Sequence, residues 1–122
     1  MLAGRRSVRV GDQILKEMAL LLIHRVMDPR VQGVTLTGIR LSRDLKTARV
    51  FFSVMGEQDR VEGAKNGLEH AKGFIKREIG HRLPLKYVPD LVFVHDPSLE
   101  RGNHMDRILK EIRDRETEDV PG

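Results

Sequence analysis

Residues 61–83, Val-Glu-Gly-Ala-Lys-Asn-Gly-Leu-Glu-His-Ala-Lys-Gly-Phe-Ile-Lys-Arg-Glu-Ile-Gly-His-Arg-Leu, decide the fold. The apolar positions Val61, Ala64, Leu68, Ala71, Ile75 and Ile79 keep one helical phase from end to end. That is the spacing of a stripe laid against a single surface. Gly73 interrupts the run near its middle, where a glycine lowers helix stability by about 1 kcal/mol relative to alanine. A kinked helix, or two helices across a tight turn, satisfies both observations.

Working outward, Pro84 and Pro89 bracket a short connection, and Leu91 to His95 is an apolar run of strand length. Upstream, Val34–Leu41 and Thr47–Met55 read as antiparallel strands joined by the polar stretch Ser42-Arg43-Asp44-Leu45-Lys46. In the second of these, Ala48, Val50, Phe52 and Val54 alternate inward and leave Arg49, Phe51 and Ser53 on the other face. In the first, Val34 and Leu36 are out of phase with Ile39 and Leu41, so a bulge is expected at Gly38. Val8–Met27 reads as a long first helix, apolar at Val10, Ile14, Met18, Leu21 and Leu22, and Asp28-Pro29 should stop it. A last amphipathic helix is expected from about His104, with Met105, Ile108, Leu109 and Ile112 on one side.

A strand joined to a neighbour by a helical crossover pairs with it in parallel. The expected fold is therefore α+β: a three-stranded mixed sheet with helices on one face and the other face open. Residues 1–7 are expected to be a flexible start, 8–116 a single domain and 117–122 a disordered tail.

A chain of 122 residues suits one domain. With 39% hydrophobic and 33% charged residues it falls among globular rather than disordered chains. Cysteine is absent, which excludes disulfides and thiolate metal sites. The longest apolar run, Ala19–Ile23, is five residues, far below the roughly 20 that cross a bilayer, and no export signal opens the sequence. A cytoplasmic protein without a membrane partner is the expectation.

The net charge of +4 is unevenly spread. Up to His95 there are 17 Lys/Arg against 10 Asp/Glu, an excess of seven, whereas Asp96–Gly122 carries 5 against 8, a deficit of three. A basic body favours polyanionic partners, although many small soluble domains are basic without binding nucleic acid. The densest cationic stretch is Lys72, Lys76, Arg77, Arg82 and Lys86, with Lys65 on the same stripe as Lys72 and Lys76; Arg43, Lys46 and Arg49 form a second patch on the hairpin. Phe51, beside Arg49, either offers a stacking surface on the open face or is buried under the last helix. The five histidines lack zinc-ligand spacing, Gly63-Ala64-Lys65-Asn66-Gly67 lacks the Walker pattern, and Ser98 near Asp96 and His95 is adjacency rather than triad geometry. No metal, cofactor, small-molecule substrate or catalytic residue is expected.

The order helix, strand, strand, helix with an internal kink, strand is similar to a type II KH domain, an RNA-binding fold whose Gly-x-x-Gly turn clamps nucleic-acid backbone. Here that place holds Ala71-Lys72-Gly73, a substitution that resembles the Ala-x-Gly kink of the ribosome-binding factor A family. Further stretches resemble the same family: Asp28-Pro29-Arg30, Ser42-Arg43-Asp44-Leu45, Ala48-Arg49-Val50-Phe51-Phe52-Ser53, Gly73-Phe74-Ile75-Lys76, Leu83, Pro89-Asp90-Leu91-Val92-Phe93, and Asp96-Pro97-Ser98 with Gly102. The likeness runs from about Val8 to Ile112.

It implies a non-enzymatic, monomeric factor that binds the free 30S small ribosomal subunit. Such a factor contacts 16S rRNA and neighbouring ribosomal proteins, assists late rRNA maturation and processing, and is linked to growth in the cold. The implied RNA contacts are Ala71, Lys72, Gly73, Lys76, Arg77, Arg82, Lys86 and Lys65, with Arg43, Lys46 and Arg49 on the hairpin. A general KH-like RNA binder and a protein-interaction module with an open sheet are the competing readings.

Overall fold

Alternation along residues 47–53 puts β2 (Thr47–Ser53) at the centre of the molecule, with Ala48, Val50 and Phe52 fully buried and Arg49 exposed. In the computed structural model, which describes residues 2–97 with side chains from Arg6 onward, β2 pairs antiparallel with β1 (Thr35–Leu41) and parallel with β3 (Asp90–His95). The sheet order is β1-β2-β3. Its register shifts between Leu36 and Gly38, the bulge that the broken alternation implies, so Leu36 opposes Phe52 while Gly38 opposes Phe51. Ser53 differs from the expectation: it is buried, at 2% exposure, rather than open to solvent with Arg49.

Two helices cover the inward face. Ile14, Met18 and Leu21 of α1 (Leu2–His24), and Val61, Ala64, Leu68, Ile75 and Ile79 of α2 (Gln58–Arg82), join Ala48, Val50, Phe52, Leu91 and Phe93 in one core. The mixed three-stranded sheet with helices on one face is thus present. The first helix begins at Leu2, six residues before the expected Val8, and ends at His24 rather than Met27. Residues 2–7 contain no proline, and lengthening an existing helix adds one hydrogen bond per residue fixed. At the other end Arg25 and Val26 both donate to the Leu21 carbonyl, at 2.8 and 2.9 Å, which closes the helix before Pro29. The expected last helix and tail lie outside the described residues.

Gly73 does not divide the segment around it. The segment is one uninterrupted 25-residue helix, not two helices across a turn, and Gly73 does not have positive φ. The glycine penalty of about 1 kcal/mol is outweighed because the stripes on both sides of Gly73 are buried in one core. Gly67 is different. A Cβ there would lie 2.9 Å from Val31 Cγ1 and 3.1 Å from Arg30 Cβ, so its missing side chain lets the short 3-10 turn Pro29–Val31 seat directly on the helix. Arg60 fastens the same turn by donating to the carbonyls of Arg30, at 2.7 Å, and Gln32. Within the turn, Asp28 accepts from the Arg30 amide at 2.9 Å and pairs with its guanidinium at 2.6 Å. These bonds to Arg30 hold the Asp28 carboxyl at about 2, well below the ordinary 3.8.

Two outcomes follow from this packing. Gly73→Ala, where an added Cβ meets nothing within 4 Å, should raise thermal stability by about 0.5–1 kcal/mol. Gly67→Ala should lower it by about 1 kcal/mol, because overpacking against Val31 exceeds the gain in helix propensity. Calorimetry on the two variants reads the contrast. Because the folded-state pKa of Asp28 is depressed, its stabilising contribution is complete above the ordinary carboxylate range and is lost as pH falls from about 4 toward about 2. Asp28→Asn should therefore flatten the acid limb of a melting-temperature profile over that window and leave its shape near neutrality unchanged.

Candidate nucleic-acid interface

Helical spacing puts Lys65, Lys72 and Lys76 of α2 in one row, seven and four residues apart. The row leans toward the edge strand β3. Lys72 Nζ lies 5.9 Å from the centre of the Phe93 ring, and Lys76 Nζ lies 3.6 Å from Asp90 Oδ1 at the start of that strand. Gly73 is exposed on the solvent side of this row, with Arg77 exposed one turn further on. The backbone at Gly73 is therefore open to approach by a flat or extended ligand. It does not offer a free helix start, since its helix is unbroken.

The expected cations are not equivalent. Lys72 is held by Glu69 at 2.8 Å and Lys76 by Asp90, while Arg82 bridges α2 and α1 by pairing with Glu17 at 3.2 Å and Glu78 at 3.7 Å. Arg82 works as a strut between helices, and its charge is already met. No carboxylate lies within 4 Å of Lys65, Arg77, Lys86, Arg43, Lys46 or Arg49 among the described residues. Of the expected cations, those six are exposed and uncompensated among the described residues, and so are left to meet an external anion. Ala71 is only partly exposed and packs against the core, so it supports the row rather than presenting a contact.

The hairpin adds a feature that sequence reasoning missed. The β1–β2 register sets Arg40 directly opposite Arg49, and on its other side Arg49 opposes Val92 of β3. Two guanidinium groups facing each other across a ladder oppose folding unless an anion lies between them. Arg40 is the one charged residue of a strand read for its apolar phase, and only the register, displaced by the bulge, reveals its partner. Phe51 is half-buried on the same open face, opposite Gly38, which leaves part of its ring uncovered by β1.

The turn between these strands is self-fastened. Ser42 Oγ donates to Asp44 Oδ1 at 2.6 Å, the Lys46 amide donates to the same oxygen at 3.0 Å, and the Thr47 amide donates to Ser42 Oγ at 3.0 Å. The Ser42 hydroxyl first, and the Lys46 amide second, hold the Asp44 carboxyl below its usual range. Leu45 takes a left-handed φ of 61° to close the turn. No helix among the described residues is long and apolar enough to cross a membrane.

The comparisons with known proteins agree with one another. Residues 6–109 match the family model described as ribosome-binding factor A. A ribosome-binding factor A of Syntrophus aciditrophicus is 44% identical over 115 residues, covering 94% of each chain. The crystal structure of ribosome-binding factor A from Thermus thermophilus superposes with a TM-score of 0.66 at 24% identity, over 73% of this chain and 93% of that one. A second Thermus thermophilus structure, a homology model fitted into the cryo-EM map of a 30S complex, gives a TM-score of 0.62 at 23% identity, over 75% and 96% of the two chains.

Relieving the Arg40–Arg49 opposition should stabilise the free protein. Arg40→Thr is expected to raise the melting temperature by the equivalent of a few tenths of a kcal/mol at low salt, with the gain shrinking as salt screens the pair. Melting curves at two ionic strengths measure both effects.

Proposed function

This chain belongs to the ribosome-binding factor A family, and from that membership we propose that it binds the free 30S subunit and assists late maturation and processing of 16S rRNA. It does so as a non-enzymatic, monomeric RNA-binding factor of the cytoplasm, with its importance rising in the cold. The fitted 30S complex of the Thermus thermophilus relative supports the choice of subunit.

The observation that carries the mode of binding is Gly73. The fold does not require a glycine there, since an added Cβ would touch nothing, and packing would favour alanine. Gly63 shares that openness but sits beside Glu62 rather than among cations. Gly73 lies between the row Lys65, Lys72 and Lys76 on one side and Arg77 on the other. A bare backbone flanked by cations suits the sugar-phosphate chain of RNA, with the uncompensated Lys65 and Arg77 taking phosphates directly. Lys72 and Lys76 exchange or share their carboxylate partners on contact, and the hairpin cations Arg43, Lys46 and Arg49 extend the footprint. Arg82 and Ala71 hold this surface in place.

The protein should sediment with purified 30S subunits at low salt and with neither 50S subunits nor DNA of matched length; equal retention on all three would overturn the assignment. Lys65→Glu with Arg77→Glu should weaken 30S binding and reduce the slope of log affinity against log salt by about 0.7–0.9 per lost contact. The melting temperature should stay near that of the parent, because neither residue has an ionic partner to lose among the described residues. Gly73→Asp should bind poorly for the same electrostatic reason.

A further inference from the structure

At one end of the molecule the start of α1, the β1–β2 turn and the α2–β3 connection enclose a cleft of about 440 Å³, within the range of roughly 300–1,000 Å³ usual for small-ligand sites. Arg6, Arg43 and Lys86 line it, each from a different one of these three segments. Leu45, Pro89 and Tyr87 supply apolar and aromatic walls. We propose that this cleft is a second RNA site, meeting the footprint of the Gly73 surface only at Arg43, which captures one unstacked nucleobase against the Tyr87 ring while Arg6, Arg43 and Lys86 hold the flanking phosphates.

Three observations point this way. Tyr87 is 70% exposed, costly for a ring on a free surface but suited to a stacking platform, and Lys86 Nζ already lies 5.6 Å from its centre. Among the described residues, the cleft's cations outnumber its carboxylates three to one. The one carboxylate, Asp44, is taken up by Ser42 Oγ and the Lys46 amide within the turn, so its charge is directed into the loop. Finally, the walls are stiff: Pro84 and Pro89 bracket the connection, Pro89 is buried, and Leu45 is locked in its left-handed turn. A preformed slot with aromatic and cationic groups fits a single-stranded nucleotide, whereas an acidic peptide would use the cations and leave the ring idle.

The inference deepens the RNA-binding reading and rests on it. Tyr87 is the only tyrosine and the chain has no tryptophan, so tyrosine emission reports on this site alone. A short oligouridylate should quench that emission. An abasic ribose-phosphate oligomer of equal length should bind about tenfold more weakly and leave emission unchanged. Tyr87→Ala should weaken oligouridylate binding about five- to a hundredfold, followed by anisotropy of labelled RNA, and Tyr87→Phe should restore most of it. Equal binding of the abasic oligomer, or equal quenching by poly-glutamate, would overturn the base pocket. If the parent sediments with 30S subunits while saturating oligouridylate leaves Tyr87 emission unmoved, the second site fails and the RNA-binding reading stands. Loss of 30S binding by the parent itself would sink both.

Discussion

The contact on which the rest depends is the seam between the apolar stripe of α2 and the inward face of β2 and β3. Leu68, Ile75 and Ile79 are buried without residual exposure against Val50, Leu91 and Phe93, and each such side chain contributes about 1.5–3 kcal/mol when removed from water. A helix pinned along its length in this way tolerates a glycine in its middle. It must also present a fixed outer face, and that face carries Gly73 and its cations. Core packing therefore determines where the proposed RNA-binding surface can be.

The charges divide into two groups with different physics. Arg82, Arg30 and Arg60 act inside the structure: the first ties α2 to α1 through Glu17, and the other two tie the Pro29–Val31 turn together and to α2. Exposed pairs of this kind add little stability singly but restrict geometry. Lys65, Arg77, Lys86, Arg43, Lys46 and Arg49 have no such partners among the described residues. The free protein therefore holds its positive potential where a polyanion can neutralise it, and the facing pair Arg40–Arg49 even opposes folding until one does.

Local rules read along the chain identified much of this. The alternation of Ala48, Val50 and Phe52, the stripe from Val61 to Ile79, the Gly38 bulge and the parallel pairing of β3 were legible because each depends on near neighbours or on a single chain-direction rule. The Ala71-Lys72-Gly73 triplet was legible as a resemblance. Of the two arrangements that Gly73 allowed, two helices across a turn is excluded by the continuous helix, because helix propensity at one glycine is a small quantity that burial along 25 residues overrides.

What only the tertiary structure decided is which residues that are distant in sequence come together. Nothing local says that Arg82 reaches Glu17 across 65 positions, that Arg40 faces Arg49, or that packing requires a glycine at Gly67 but not at Gly73. The cleft at Tyr87 is assembled from three segments whose side chains have no sequence relation to one another. The sequence by itself determined the elements, their inward faces and the basic sign of the body, since propensity, periodicity and net charge are sums over neighbouring residues. The pairing of charges and the siting of clefts needed the folded chain, because electrostatic compensation and close approach depend on through-space distance, and that is settled only when the elements pack.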